Sequence, residues 1–236
     1  ADREGHHQLD RLGRPVGLAL RRRGREQAGA GDGGESADVL CESSIPADVV
    51  AHVAWHSLVG PQLERLVPNR ENKDGPTASA LFFAESIASA FDLYLVGRLL
   101  RTAPHSDFVE TQVSIMGEAA EEAGLSEQDF AALLESVVAD PQRAFEDLRA
   151  LLLDVTIALF ACIGALEAQL VLERFQGHRL EALLHHYQLS NWLLYARAYG
   201  RQFAAEERAV LDLDATLRAA PVALEWLIEH WVACPA

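Results

Sequence analysis

Apolar residues recur along most of this chain at intervals of three and four positions, and polar residues typical of helix caps separate the repeats. The alternation of apolar and polar residues that is typical of strands is absent from the sequence, as are hairpin turn signals. The pattern predicts an all-α protein in which seven or eight helices form a single compact multi-helix bundle over residues 41–236.

Capping residues and prolines set the predicted helix boundaries. The first helix is expected to begin after Ser44, to be kinked or broken at Gly60-Pro61 and to end at Pro68. Further helices are predicted from Thr77 to Leu100, from Ser106 to Gly124, from Ser126 onward, from Asp140 to Phe175, and over roughly 178–188, 190–207 and 221–233.

The first 40 residues differ from the rest in composition. They contain seven acidic residues, seven arginines and a Gly-rich segment at 28–34, which predicts a mobile N-terminal tail over residues 1–40. Residues 41–236 carry 28 acidic and 13 basic residues, so the net charge of −15 belongs to the helical domain. We therefore expect no nucleic-acid partner for that domain, because phosphate contacts require clustered Lys and Arg.

Cysteine usage and hydropathy bear on location. The three cysteines share no CxxC spacing, which argues against a disulfide framework or a zinc knuckle, and we see no secretion signal; a cytoplasmic protein is expected. Residues 78–97 and 150–172 approach the length of a membrane span, but each contains two acidic residues, so we expect core helices and no membrane partner. Packing of one such helix against a second subunit, as a homo-oligomer, is a further alternative.

Two histidines interrupt the apolar stripe of the first helix. At 100° per residue, His52 and His56 fall within the stripe that contains Val49, Val53 and Val59. Their spacing of four residues stacks the rings one turn apart, which is a geometry that lets two imidazoles bind one metal ion.

Carboxylates occupy the apolar helices that follow. Glu85 and Asp92 are seven residues apart in a helix that is otherwise apolar on every side, so both project from the same face, about 10 Å apart. Asp154 lies within the apolar run Leu151–Phe160. A buried carboxylate is costly unless it is neutral, paired or bound to a cation. All three acids are therefore candidates for a polar site.

The candidate site residues are His52, His56, Glu85, Asp92 and Asp154. Two histidines with a carboxylate are the minimal set for catalytic zinc and for non-haem Fe(II), and further carboxylates suit a two-metal centre. In the alternative interpretation, each acid is satisfied by a histidine, a hydroxyl or an arginine such as Arg98, without any metal ion. The spacing is compatible with both.

The spacing of His52, His56 and Glu85 resembles the ligand layout of gluzincin metalloproteases, in which an HExxH helix supplies two histidines and a later helix supplies a glutamate. The resemblance implies that these three residues are metal ligands. Val53 stands where that family carries its general-base glutamate, so the resemblance does not imply peptide hydrolysis.

The predicted architecture is also similar to that of helical di-iron and di-manganese oxidases, which build a centre of histidines and carboxylates between core helices. On this basis we predict a metal-dependent helical enzyme, a non-haem oxidase or oxygenase that uses Fe or Mn, with Zn as the alternative, on a small apolar molecule. The sequence assigns no catalytic residue. The alternative is a non-enzymatic ligand-binding or assembly protein with buried structural acids.

Overall fold

The computed structural model describes residues 45–66, 77–162, 164–184 and 208–233. The predicted tail at 1–40 and the predicted helix at 190–207 lie outside these residues. A 3-10 turn at Glu181–Leu184 and a final π-helical turn at Ile228–Val232 accompany the α-helices, and no strand occurs in the described ranges. Eight α-helices are described there: α1 (Ala47–Leu66), α2 (Ala78–Leu99), α3 (Asp107–Glu122), α4 (Glu127–Ala139), α5 (Pro141–Phe160), α6 (Ala165–Glu173), α7 (Arg208–Ala219) and α8 (Ala223–Leu227).

Helix α2 is the centre of this all-α bundle. It is apolar around its circumference, begins at an N-cap where the Thr77 hydroxyl accepts from the Ala80 amide, and packs against α1, α3, α4, α5 and α7. Length and composition alone would allow α2 to cross a membrane, but 72% of its apolar window is buried inside the protein. A helix that is hydrophobic all round is expected at the core of a protein. The structure therefore accounts for the apolar character of α2 by helix packing.

Close packing fixes the far end of α2. A Cβ atom at Gly97 would lie 2.8 Å from the Val137 carbonyl oxygen and 3.0 Å from Pro141 Cβ. Glycine at this position lets α2 approach the junction between α4 and α5, where Asp140 ends one helix and caps the next. The approach anchors α2 while its other half faces α1.

The capping signals placed α2, α3 and α4 correctly. The hydroxyls of Ser106 and Ser126 accept hydrogen bonds from amides three residues later, as predicted for N-caps. The Ser126 hydroxyl also donates to the Asp129 side chain. Gly124, with φ of 84°, follows the end of α3 in the left-handed conformation that favours glycine.

The structure lacks one predicted break, divides one predicted helix and adds one helix. Helix α1 continues through Pro61 to Leu66, so Gly60-Pro61 does not break it. The single helix expected from Asp140 to Phe175 is two helices, because Gly164 adopts an extended conformation (φ −147°, ψ 164°) at the start of α6. Helix α7 was not predicted, although its buried residues Val210, Leu213 and Leu217 have helical spacing.

A network of alternating charges joins α5 to α7. Arg149, which is fully buried, donates through Nε and Nη2 to both carboxylate oxygens of Glu146 and through Nη1 to Asp214 at 2.6 Å. Asp214 accepts in turn from Arg218, which donates to Asp154 at 2.7 Å. We call these five residues the arginine network. Each guanidinium group bridges two acids, so both cations have several ionic partners.

Candidate metal centre

Helices α1 and α2 bring the two predicted histidines to the predicted carboxylates. His56 lies level with Glu85, and His52 lies between Glu85 and Asp92, so the two helices run in opposite directions. The side chains of His52, His56 and Glu85 are 26%, 25% and 23% exposed. The histidines therefore lie at the edge of the α1 face, beside buried Trp55 and Val59, and not within it as the spacing suggested.

Three side-chain atoms converge at this edge. The Nε2 atoms of His52 and His56 are 3.1 Å apart, and Glu85 Oε2 is 3.4 Å from the first and 3.3 Å from the second. The imidazole rings meet edge to face, with centroids 4.8 Å apart. All three residues present one potential ligand atom to a common point. We call His52, His56 and Glu85 the His/His/Glu triad.

The size of this triangle matches the coordination sphere of a metal ion. Its circumradius is about 1.9 Å, so an ion with bonds of about 2.1 Å would lie roughly 0.9 Å above its plane. Three ligands on one side of an ion leave positions on the other side for water or a substrate. The residues therefore fit a facial, open metal site, which is the arrangement of catalytic rather than structural centres.

Asp92 holds the other nitrogen of His52. The Nδ1–H group of His52 donates to Asp92 Oδ2 at 2.7 Å, which leaves Nε2 facing His56 and Glu85. A carboxylate on the outer nitrogen fixes the tautomer and the orientation of a metal-binding histidine and increases its basicity. Asp92 thus occupies a supporting position behind the His/His/Glu triad.

Without a metal ion, burial and hydrogen bonding shift the pKa values of His52 and Glu85 in opposite directions. Burial lowers the pKa of His52, but hydrogen bonds to Asp92 and Glu85 outweigh burial and raise that pKa to about 10. Burial raises the pKa of Glu85, yet hydrogen bonds with His52 and His56 prevail and lower it to about 2. A doubly protonated His52 between two carboxylates therefore holds the cluster together when no metal ion binds.

Asp92 is more deeply buried than the triad, at 4% exposure. Burial raises its pKa, and the charge of Asp48 adds to that rise against the opposing hydrogen bond from His52. The raised pKa values of both partners mean that their short hydrogen bond keeps its proton throughout the neutral range. Gln112 on α3 completes this region by donating to Asp48 Oδ2 at 3.2 Å.

Asp154 is not part of this cluster. Its side chain is 48% exposed and accepts from Arg218 in the arginine network. The expectation of burial failed because Leu148, Leu152, Val155 and Leu159 define the buried face of α5, whereas position 154 lies well away from that face. For Asp154 the structural interpretation, an acid satisfied by an arginine, is the one the structure shows.

Sequence reasoning overlooked two residues of this region, Asp48 and Gln112. Asp48 precedes His52 by four residues and so shares its side of α1, a signal that was present in the spacing. Gln112 could not have been found in this way, because its position depends on how α3 packs against α1 and α2.

The fold and the triad define an all-α protein with a candidate site of two histidines and one glutamate between consecutive helices. Comparisons with protein-family models, with curated proteins and with solved structures find no match to this chain. The geometry of the triad does not assign the chain to the gluzincins or to the di-metal oxidases.

Proposed function

We propose that the protein binds one divalent transition-metal ion through Nε2 of His52, Nε2 of His56 and a carboxylate oxygen of Glu85. The observation that carries this proposal is the triangle of donor atoms, with sides of 3.1, 3.3 and 3.4 Å. An ion with bonds of about 2.0–2.2 Å keeps adjacent ligand atoms roughly 3.0–3.5 Å apart. Small movements of the side chains would suffice for binding.

The proposed ion serves an enzymatic reaction. A closed structural site would surround its metal with four protein ligands, whereas the triad supplies three and is partly exposed. Asp92 would orient His52, and the apolar residues beside the site, among them Trp55 and Val59, would limit access of water. The protein's own contribution is thus to hold three ligands on one side and keep the opposite side available.

We favour a non-haem oxidase or oxygenase that acts on a small apolar molecule. Two histidines and one carboxylate form the facial arrangement used by mononuclear Fe(II) oxygenases, and Mn(II) accepts similar ligands. Hydrolysis by zinc is less well supported, because Val53 cannot serve as the general base that a gluzincin-like site requires. Iron or manganese bound in the cell would support the redox proposal, and zinc would support the hydrolytic one.

A non-enzymatic binding or assembly protein is the second candidate. The observation in its favour is that His52 pairs with both Glu85 and Asp92, so the acids have a partner without any metal ion. In that case the cluster only joins α1 to α2. The two candidates differ in whether the donor atoms take up a metal ion.

Metal analysis of the full chain, purified without chelators, tests the proposal. We expect nearly one ion of Fe, Mn or Zn per chain in the wild type and almost none in the His52→Ala, His56→Ala double variant. The matched control replaces two exposed histidines of the described residues, His105 and His230, with alanine, which should leave the metal content unchanged. A folded wild type that takes up neither Fe(II), Mn(II) nor Zn(II) would refute the metal site.

Loading the protein with Fe(II) under exclusion of air tests the redox part. After air is admitted, the wild type should consume oxygen faster than the double variant does. Small apolar compounds that are substrates should increase the rate of oxygen consumption. An iron-loaded protein that consumes no more oxygen than the double variant in the presence of a broad panel of such compounds would contradict an oxidase.

A further inference from the structure

A second polar region lies behind the His/His/Glu triad, in the interface between α1 and α2. Asp48 precedes His52 by four residues on α1, and Ser89 lies between Glu85 and Asp92 on α2. Residues separated by three or four positions share a helix face. Because His52 donates to Asp92 and the helices are antiparallel, the next turn of α1 brings Asp48 level with Asp92. The charge of Asp48 accordingly acts on Asp92, and Ser89 shares the face of α2 that carries Asp92.

Each of these three residues has a buried polar atom without a hydrogen-bond partner. The atoms are Oδ1 of Asp48, Oγ of Ser89 and Oδ1 of Asp92. Ser89 is fully buried and Asp92 is 4% exposed. Buried polar atoms are nearly always paired, and each unpaired one costs about 1–3 kcal/mol. Three such atoms on facing helices indicate a shared binding partner.

The charge of this region favours a cation as that partner. Among the described residues, neither Asp48 nor Asp92 forms an ion pair with an arginine or lysine, and His52 contacts Asp92 through its other oxygen. A bridging water would supply hydrogen bonds but no positive charge, and His52, which pairs with Asp92, would leave the charge of Asp48 without a cationic partner in this interface. A cation between the two helices would supply that charge and accept lone pairs from the carboxylate oxygens and the serine oxygen.

We propose that Asp48, Asp92 and Ser89 form a second cation site, distinct from the His/His/Glu triad, that binds a hard ion such as Ca²⁺, Mg²⁺ or Mn²⁺. All three donors are oxygen atoms, which these ions prefer, whereas the triad offers two imidazole nitrogens. Gln112 donates to Oδ2 of Asp48, so Oδ1 is the oxygen of that carboxylate that is left for the ion. The second site stands independently of the function proposed for the triad.

Calorimetric titration of the full chain with Ca²⁺ tests this proposal, because Ca²⁺ binds imidazole poorly. The wild type, first loaded with one equivalent of Zn²⁺, should bind one Ca²⁺ ion. Asp48→Asn should weaken Ca²⁺ binding at least about tenfold, since it removes one ligand charge. Ser89→Ala should also weaken it and serves as a second variant should Asp48→Asn fail to fold. Glu118→Gln, at an exposed acid of α3, should leave it unchanged.

The same titration separates the two sites. His56→Ala should lose Zn²⁺ but keep Ca²⁺ binding, and Asp48→Asn should show the reverse. Zinc binding without calcium binding in the wild type would overturn the second site and leave the triad in place, with water as the partner of the three atoms. Equal calcium affinities of the wild type, Asp48→Asn and Ser89→Ala would also overturn it. Calcium binding without zinc binding would support the second site and contradict the proposed function.

Discussion

Two polar clusters interrupt the apolar interior of this bundle, and they are built on different principles. In the arginine network, acids and guanidinium groups alternate, and the fully buried Arg149 has carboxylate partners for Nε, Nη1 and Nη2. In the cluster between α1 and α2, two acids, Glu85 and Asp92, flank one strongly basic histidine, His52, and both Asp92 and nearby Asp48 retain an unpaired oxygen.

The difference shows what each cluster can do. A cluster whose donors and acceptors match has nothing left with which to bind a ligand, so its effect is on the free energy of unfolding. A cluster with excess acceptors and converging lone pairs gains most when a cation binds. We therefore expect variants of the arginine network to change stability, and variants of the His/His/Glu triad to change metal affinity.

Removal of the buried cation should have the largest effect. Arg149→Met leaves Glu146 and Asp214 without their central partner, and breaking a buried ion pair typically costs about 3–5 kcal/mol. Urea unfolding should show this loss, with no change in metal content per folded chain. Arg143→Met is the control, because the exposed pair of Arg143 with Asp147 contributes less than about 1 kcal/mol. If the metal content per folded chain fell together with stability, the arginine network would affect metal binding as well, contrary to the expectation above.

Loss of a triad ligand should produce the next largest effect. His56→Ala removes one of three donors, and we expect metal affinity to fall by more than about 100-fold, beyond the range for supporting residues. The unfolding free energy of the protein in chelator should fall by only about 1 kcal/mol, the typical net contribution of one hydrogen bond such as that between His56 and Glu85. Competition with a chromogenic chelator measures the affinity. An unchanged affinity would show that His56 is not a ligand.

Asp92→Asn should weaken the metal site by a smaller factor. Asparagine can still accept the hydrogen bond from His52 Nδ1, but without the charge that makes the ring more basic, and such changes typically cost 10–100-fold in metal affinity. Asp154→Asn is the matched control, since Asp154 pairs with Arg218. Equal affinities for the Asp92→Asn and Asp154→Asn variants would show that Asp92 does not support the metal site.

A change of one pH unit should have the smallest effect. As pH rises, the unfolding free energy of the metal-free protein should fall, whereas the metal affinity should rise. In chelator, the pKa of His52 is about 10 against 6.5 in the unfolded chain, so its contribution to stability is complete below pH 6.5 and is lost as pH rises toward 10. Glu85, with its pKa lowered from 4.5 to about 2, contributes fully above pH 4.5 and loses this contribution as pH falls toward 2.

Unfolding measured across this range in chelator should therefore show a decline above pH 6.5, at most about 1.4 kcal/mol per pH unit. In the His52→Gln variant, the unfolding free energy should decline much less over the same pH range. Metal affinity should instead rise with pH, because binding displaces the proton of His52. Metal affinity that is independent of pH would contradict ligation by His52.

Much of the site could be predicted because it depends on spacing within single helices. The separations of His52 from His56 and of Glu85 from Asp92 fix which residues share a face, and helix caps fixed α2, α3 and α4. Which face meets which neighbour depends on tertiary packing. The pairing of His52 with Asp92 and the burial of Arg149 arise in this way, from contacts between residues distant in sequence.

The errors have local physical causes. Asp154 was assigned to the interior because its neighbours along the chain are apolar, although neighbours in sequence point to different sides of a helix. Helix α5 ends at Phe160 and Gly164 is extended before α6, within a sequence pattern that is otherwise helical. Apolar composition predicts that a segment is buried, but it does not identify the face that is buried.

All donors proposed for the two cation sites come from a pair of helices adjacent in sequence. Written as a pattern, α1 supplies Asp-x3-His-x3-His and α2 supplies Glu-x3-Ser-x2-Asp. A pattern this compact can be sought in other helical proteins whose overall sequences have diverged beyond alignment. Chains that keep all six positions would be expected to share both sites. Chains that keep only the two histidines and the glutamate, or only the two aspartates and the serine, would separate the metal chemistry of one site from that of the other.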